Sequence, residues 1–126
     1  MYTAAVEIVF PAGHYLDISG IKESLHQHDW RVRAQVGGQR LNQYELVVDF
    51  HLLQRLLLKI IEPISRTGVI NELDYFKNNP INPSAERVAE YIYKELEQLL
   101  PQGVKLLEIT VWETDDCRAS FRREKY

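Results

Sequence analysis

The sequence predicts an α+β domain in which an antiparallel sheet carries two helices packed on one face. Three observations predict it. Apolar residues alternate with period two in several stretches, they recur at helical spacing in two others, and strands precede and follow the helices. Two amphipathic helices lying between two groups of strands bury their stripes most simply on one side of a shared sheet. The 126 residues, 1–126, suit a single domain with a core of its own.

Each element follows from local pattern. In residues 2–10, Tyr2, Ala4, Val6, Ile8 and Phe10 fall on one side, with Thr3 and Glu7 on the other, which is strand periodicity. Pro11, Ala12 and Gly13 end that run, and a loop carries the chain to about Leu25. Trp30, Val32, Ala34 and Val36 alternate with Arg31, Arg33 and Gln35 as a second strand, closed by Gly37 and Gly38. Tyr44 to Val48 reads as a partner strand. From Phe50 the period changes, and Leu53, Leu56, Leu57, Ile60, Ile61 and Ile64 make one helical stripe. A polar segment, 65–82, leads to a second helix. There Asn82-Pro83-Ser84 supplies capping residues, Ala85, Val88, Ala89, Ile92, Leu96, Leu99 and Leu100 its apolar face, and Pro101 and Gly103 its end. Val104 to Glu113 and Arg118 to Arg123 are the last strands, with Asp115 and Asp116 as turn residues between them. The sheet face away from the helices keeps Val and Ile positions, so a second subunit is expected to cover part of it.

Composition narrows the function classes. A hydrophobic fraction of 45% and a charged fraction of 26% are those of an ordinary globular protein. A net charge of -3 argues against a phosphate-backbone binder, and the basic cluster Arg122, Arg123 and Lys125 reads as a solvated tail. Cys117 is the only cysteine, which excludes an intrachain disulfide and a thiolate-rich zinc site. The N-terminus shows no secretory pattern, and Leu52 to Ile64 is too short and too charged to span a bilayer. A cytoplasmic protein without nucleic-acid or membrane partners is expected.

The chemistry-bearing residues are histidines. His26 and His28 are two apart on a strand, so both side chains leave the same face, and His14 lies just past the first strand. If those two strands pair as a hairpin, His14 returns towards the other two. Converging neutral imidazoles suit zinc, which binds nitrogen at about 2.0–2.1 Å and with three protein ligands keeps a position open for chemistry. On residue type alone, ordinary strand-end histidines fit as well. His51 reads as an exposed helix-terminus residue. Glu113 ends an apolar strand, where its carboxylate could accept two parallel hydrogen bonds from the flat edge of a pterin or guanine, or simply be solvated.

Ordered blocks along nearly the whole chain then carry a family resemblance. Phe10-Pro11-Ala12-Gly13-His14-Tyr15-Leu16 is similar to Phe-x-Ala-Ala-His-x-Leu, and Leu25-His26-Gln27-His28-Asp29-Trp30 to Leu-His-Gly-His-Asn-Tyr. Val47-Val48-Asp49-Phe50, Ile70-Asn71-Glu72-Leu73, Asn82-Pro83-Ser84-Ala85-Glu86 and Val111-Trp112-Glu113-Thr114 match further blocks in order. The sequence resembles the 6-pyruvoyltetrahydropterin synthase and 6-carboxytetrahydropterin synthase family. That resemblance implies the tunnelling fold, assembly into a homo-oligomer (trimer or hexamer), zinc at His14, His26 and His28, and a small-molecule pterin substrate anchored by Glu113 with Thr114.

The chain departs from the family at its reactive residues. Lys22 stands where a cysteine is usual, Arg66-Thr67-Gly68 lies where an Asp-His pair is usual, and Gln27 replaces a glycine. Lysine is a poor base unless desolvated or crowded by a cation, so Lys22 and the neighbouring Glu23 are the substitute candidates, with solvated loop charges as the plain alternative. Three readings follow: a zinc-dependent carbon-oxygen lyase or aldolase-like enzyme trimming a dihydroneopterin side chain, a pterin-binding homologue without turnover, and a structural oligomer. Biopterin, folate-related and deazapurine routes are all compatible with these residues.

Overall fold

The computed structural model describes residues 1–124. Strand β1 (Tyr2–His14) is followed by a small hairpin, β2 (Asp17–Ile18) and β3 (Ile21–Lys22), and then by the long β4 (His26–Gly38). Helix α1 (Phe50–Thr67), a 3-10 turn (Ile70–Glu72), the short α2 (Asp74–Asn78) and α3 (Ala85–Glu97) come next, and β5 (Lys105–Thr114) and β6 (Cys117–Phe121) close the chain. The main sheet is antiparallel in the order β1-β4-β5-β6. Helix α1 packs over β1, and α3 over β5 and β6, both on one face.

Alternation decides what is buried. Val6, Phe10, Ala12 and His14 of β1 face the helices, as do Trp30, Val32, Ala34 and Val36 of β4, all four of which are fully buried. They meet Leu53, Leu57, Ile60, Ile61 and Ile64 of α1 and Val88, Ala89, Ile92, Tyr93 and Leu96 of α3. Burying each of the Val, Leu, Ile and Phe side chains among them contributes about 1.5–3 kcal/mol. Asp49 caps α1 by accepting from the His51 amide at 2.8 Å, and Ser84 caps α3 by accepting from Arg87 at 3.2 Å. Gly68, at φ 78°, ends α1 in the left-handed conformation that favours glycine.

Several boundaries differ from expectation. β1 runs through Pro11 to His14 because it is an edge strand, where a missing N–H need not break a ladder. Gly37 and Gly38 lie inside β4, paired with Thr3 and Tyr2. Tyr44 to Val48 is turn rather than strand, since the last positions of β4 are already paired with β1 and β5, and its apolar Tyr44 is exposed. The polar segment contains the 3-10 turn and α2, whose Ile70, Leu73 and Phe76 are core residues. Helix α3 stops before Leu99, which is exposed. The sheet face away from the helices is more charged than expected. Arg31, Trp112 and Arg118 stand in one cross-strand row, with both guanidinium groups over the indole at 4.5 and 5.9 Å. Nor is the C-terminal basic cluster a free tail. Arg123 holds Glu97 of α3 through two 2.8 Å hydrogen bonds, and Arg122 lies 3.9 Å from Glu108, while Lys125 lies outside the described residues. Among the described residues, no helix is long and apolar enough to cross a membrane.

Candidate metal centre

Pairing of β1 with β4 brings the histidines together. The register sets His14 opposite His26 and Ala12 opposite His28, and period two aims all three rings at the helix-facing side. Ring centroids are 4.5 Å apart for His14 and His26, 4.8 Å for His26 and His28, and 5.7 Å for His14 and His28. Glu113 arrives from the end of β5 on the same face. Its Oε1 is 2.9 Å from Nε2 of His14 and its Oε2 is 3.9 Å from Nε2 of His28. One donor atom from each of these four residues lies within 4.8 Å of all the others.

Backbone contacts set the imidazole tautomers. Nδ1 of His14 is 2.8 Å from the Pro83 carbonyl and Nδ1 of His26 is 3.0 Å from the Ser24 carbonyl. A carbonyl only accepts, so each Nδ1 carries a proton, and in the neutral ring Nε2 then keeps the lone pair that a metal ligand needs. Nε2 of His14 and of His28 are buried without a hydrogen-bond partner. Burial lowers the pKa of His14, outweighing the Pro83 carbonyl and Glu113, which raise it, while His26 and His28 lower it further. A neutral nitrogen that is buried and orphaned fits a bound cation, and the donor set of imidazoles with one carboxylate fits zinc.

Residues that pattern reading overlooked support this cluster. The Trp30 indole donates to the Ala12 carbonyl at 3.0 Å and stands edge-on to His14 and His28. The loop after His14 is clamped by two amides. Asn71 accepts from the Tyr15 N–H at 3.0 Å and donates to its carbonyl at 2.9 Å, and Asn82 treats Asp17 the same way, at 2.9 Å for each bond. Both asparagines lie in matched blocks, and Asn82, a capping candidate by sequence, holds the Asp17 peptide while Ser84 caps α3. Gln27 opposes Gly13 in the register, and a Cβ at Gly13 would lie 2.9 Å from the Gln27 amide.

The other site candidates fall elsewhere. Lys22 sits on the exposed hairpin and lines a 530 Å³ cleft with Tyr15, Asp17, Asn71, Glu72 and Lys77. The Glu23 carboxylate accepts from the Leu16 N–H at 2.9 Å and lies outside the four-residue cluster. His51 is exposed beside Asp49. Thr114 is exposed next to Glu113, which also lines a 220 Å³ cleft with Leu16, Ser84, Glu86 and Cys117. A larger cleft of 610 Å³ lies at the far end of the sheet around Tyr93, Glu97 and Arg123, away from the imidazoles.

Known proteins resemble this chain throughout. It is 31% identical over 109 residues to the dihydroneopterin monophosphate aldolase of Pyrococcus furiosus, covering 85% of each chain. It is 25% identical over 122 residues to the 6-carboxy-5,6,7,8-tetrahydropterin synthase of Aquifex aeolicus, covering 80% of this chain and 75% of that one. The 6-pyruvoyl tetrahydropterin synthase structure of Caenorhabditis elegans superposes with a TM-score of 0.80 over 98% of both chains at 17% identity, which is the expected tunnelling fold. The sequence model described as 6-pyruvoyl tetrahydropterin synthase matches residues 3–124. With that match running over almost every position, the chain belongs to the 6-pyruvoyl tetrahydropterin synthase family.

Proposed function

We propose that this protein is a zinc-dependent pterin lyase that trims a dihydroneopterin-type side chain. The observation that carries the reading is the convergence of His14, His26, His28 and Glu113, with the buried Nε2 atoms of His14 and His28 unpartnered. His14, His26 and His28 hold the zinc. A zinc ion bound there supplies Lewis acidity that polarises oxygens on a substrate side chain. Glu113, with Thr114 beside it, receives the 2-amino and N3 edge of the pterin, for which a carboxylate is the matching acceptor pair. The adjoining cleft lined by Leu16, Ser84, Glu86 and Cys117 is the space for the ring. The names of the relatives, a dihydroneopterin monophosphate aldolase and a 6-carboxy-5,6,7,8-tetrahydropterin synthase, support a pterin substrate class.

Lys22 and Glu23 are the proposed proton carriers, since the position usual for a cysteine holds Lys22 and no other thiol than Cys117 exists in the chain. Glu23 must release the Leu16 amide to act, so of the two Lys22 is the less constrained. The same contact favours a second reading, a pterin-binding homologue without turnover, because it gives Glu23 a purely structural use.

Metal analysis and turnover separate these. Purified protein is expected to contain zinc, to lose it in His26→Ala, and to convert 7,8-dihydroneopterin or one of its phosphates. Lys22→Ala is expected to lower kcat at least tenfold with KM little changed. Bound zinc and bound neopterin without conversion of any of these compounds would establish the second reading, and a zinc-free protein would sink both.

A further inference from the structure

Glu113 has two uses that exclude each other. A carboxylate that grips a flat N–H edge must present both oxygens to it in one plane. Here the group is instead turned into the imidazole cluster, with Oε1 2.9 Å from Nε2 of His14 and Oε2 3.9 Å from Nε2 of His28. The short contact is not a hydrogen bond, and both Nε2 atoms remain without a partner. Nδ1 of His14 donates to the Pro83 carbonyl, so its Nε2 offers a lone pair. In the neutral ring, a lone pair facing a carboxylate oxygen at that distance is repulsive unless both atoms bind one cation lying to the side of the line that joins them. The carboxylate occupies the position of a ligand to that cation, among donor atoms that all lie within 4.8 Å of one another.

We propose that Glu113 is the fourth ligand of the metal in the substrate-free protein and that it leaves the metal to take the pterin. The inference rests on the metal reading given above and extends it. The resting centre is closed by one carboxylate in addition to the three imidazoles. Arrival of the heterocycle turns that carboxylate away and opens a coordination position at the moment when a side-chain oxygen can use it. Glu113 is 29% exposed, so it can turn without breaking the core. A single residue thereby couples ring recognition to metal availability, and compounds without the flat N–H edge leave the centre closed.

Cobalt(II) provides a readout independent of turnover. The chelator-stripped protein is reloaded with cobalt, and affinity and visible absorption are measured for wild type, Glu113→Gln and His28→Ala, each with and without saturating neopterin. The expected result is a cobalt affinity at least tenfold weaker in Glu113→Gln, a changed absorption band, and a wild-type band that moves towards that of Glu113→Gln when neopterin binds. If Glu113→Gln holds cobalt as tightly as wild type with the same band while His28→Ala loses it, Glu113 is no ligand and only this inference fails. If neopterin binds and the wild-type band stays in place, the exchange is overturned. If the wild-type protein takes up neither cobalt nor zinc, the metal reading itself falls and takes this inference with it.

Discussion

His14 joins the first strand, the approach to α3 and the site. It is 1% exposed, its Nδ1 is tied to Pro83 just before α3, and its ring contacts Trp30 and the other two imidazoles. Burial keeps it neutral by lowering its pKa, which has a consequence for the metal-free protein. The unfolded chain takes up a proton as pH falls through the ordinary value of 6.5, whereas folded His14 resists until a lower pH. The stability that His14 contributes is therefore complete above 6.5 and is lost as pH falls below it towards the depressed folded value. Urea midpoints of chelator-treated protein should drop between pH 7.5 and pH 5.5, and the drop should shrink in His14→Gln. Equal slopes in the two proteins would remove His14 as the source.

At the level of elements, the site depends on where β1 and α1 end. Gly68 closes α1 at φ 78°, and its carbonyl accepts from the Gly13 N–H at 2.8 Å, one residue before His14. The helix end therefore holds the strand end in place. Replacing Gly68 with alanine forces a Cβ into the left-handed region, and nothing lies within 4 Å of that Cβ, so the cost is conformational. Gly68→Ala should destabilise the fold by about 1 kcal/mol. Thermal unfolding checks this, and an unchanged Tm would show that the turn adapts freely. The Asn71 and Asn82 clamps act similarly on the loop after His14, because each amide satisfies both polar groups of one peptide residue.

For the whole molecule, the sheet order leaves two edges open among the described residues, β1 up to its parallel bridge from Gly13 to Val69, and the short β6. Such edges invite pairing with another chain unless they are covered. Val9 on β1, Ile18 and Ile21 on the small hairpin, and Phe50 and Leu58 on α1 are exposed as well. We propose that association into a trimer or hexamer, with β1 of one copy beside β6 of the next, covers these edges. Light scattering should give a mass that is a multiple of 14.8 kDa, and a mass of one chain at micromolar concentration would refute the assembly.

Periodicity was enough to read the strand and helix order, the apolar stripes of α1 and α3 and the pairing of His26 with His28, since each depends on residues a few positions apart. Strand ends also pointed to His14 and Glu113, and the resemblance blocks decided between the open readings of each. Spacing in the chain carries no information on three features that decide the site: the Pro83 carbonyl that orients His14, the clamps from Asn71 and Asn82, and the turn of Glu113 into the imidazoles. These contacts join positions 56 to 99 residues apart, so they exist only once the sheet register and the helix ends have closed over one another. Pro11 and Gly37 misled the strand boundaries for the same reason. Their local preferences are real, but an edge position and an established ladder override them.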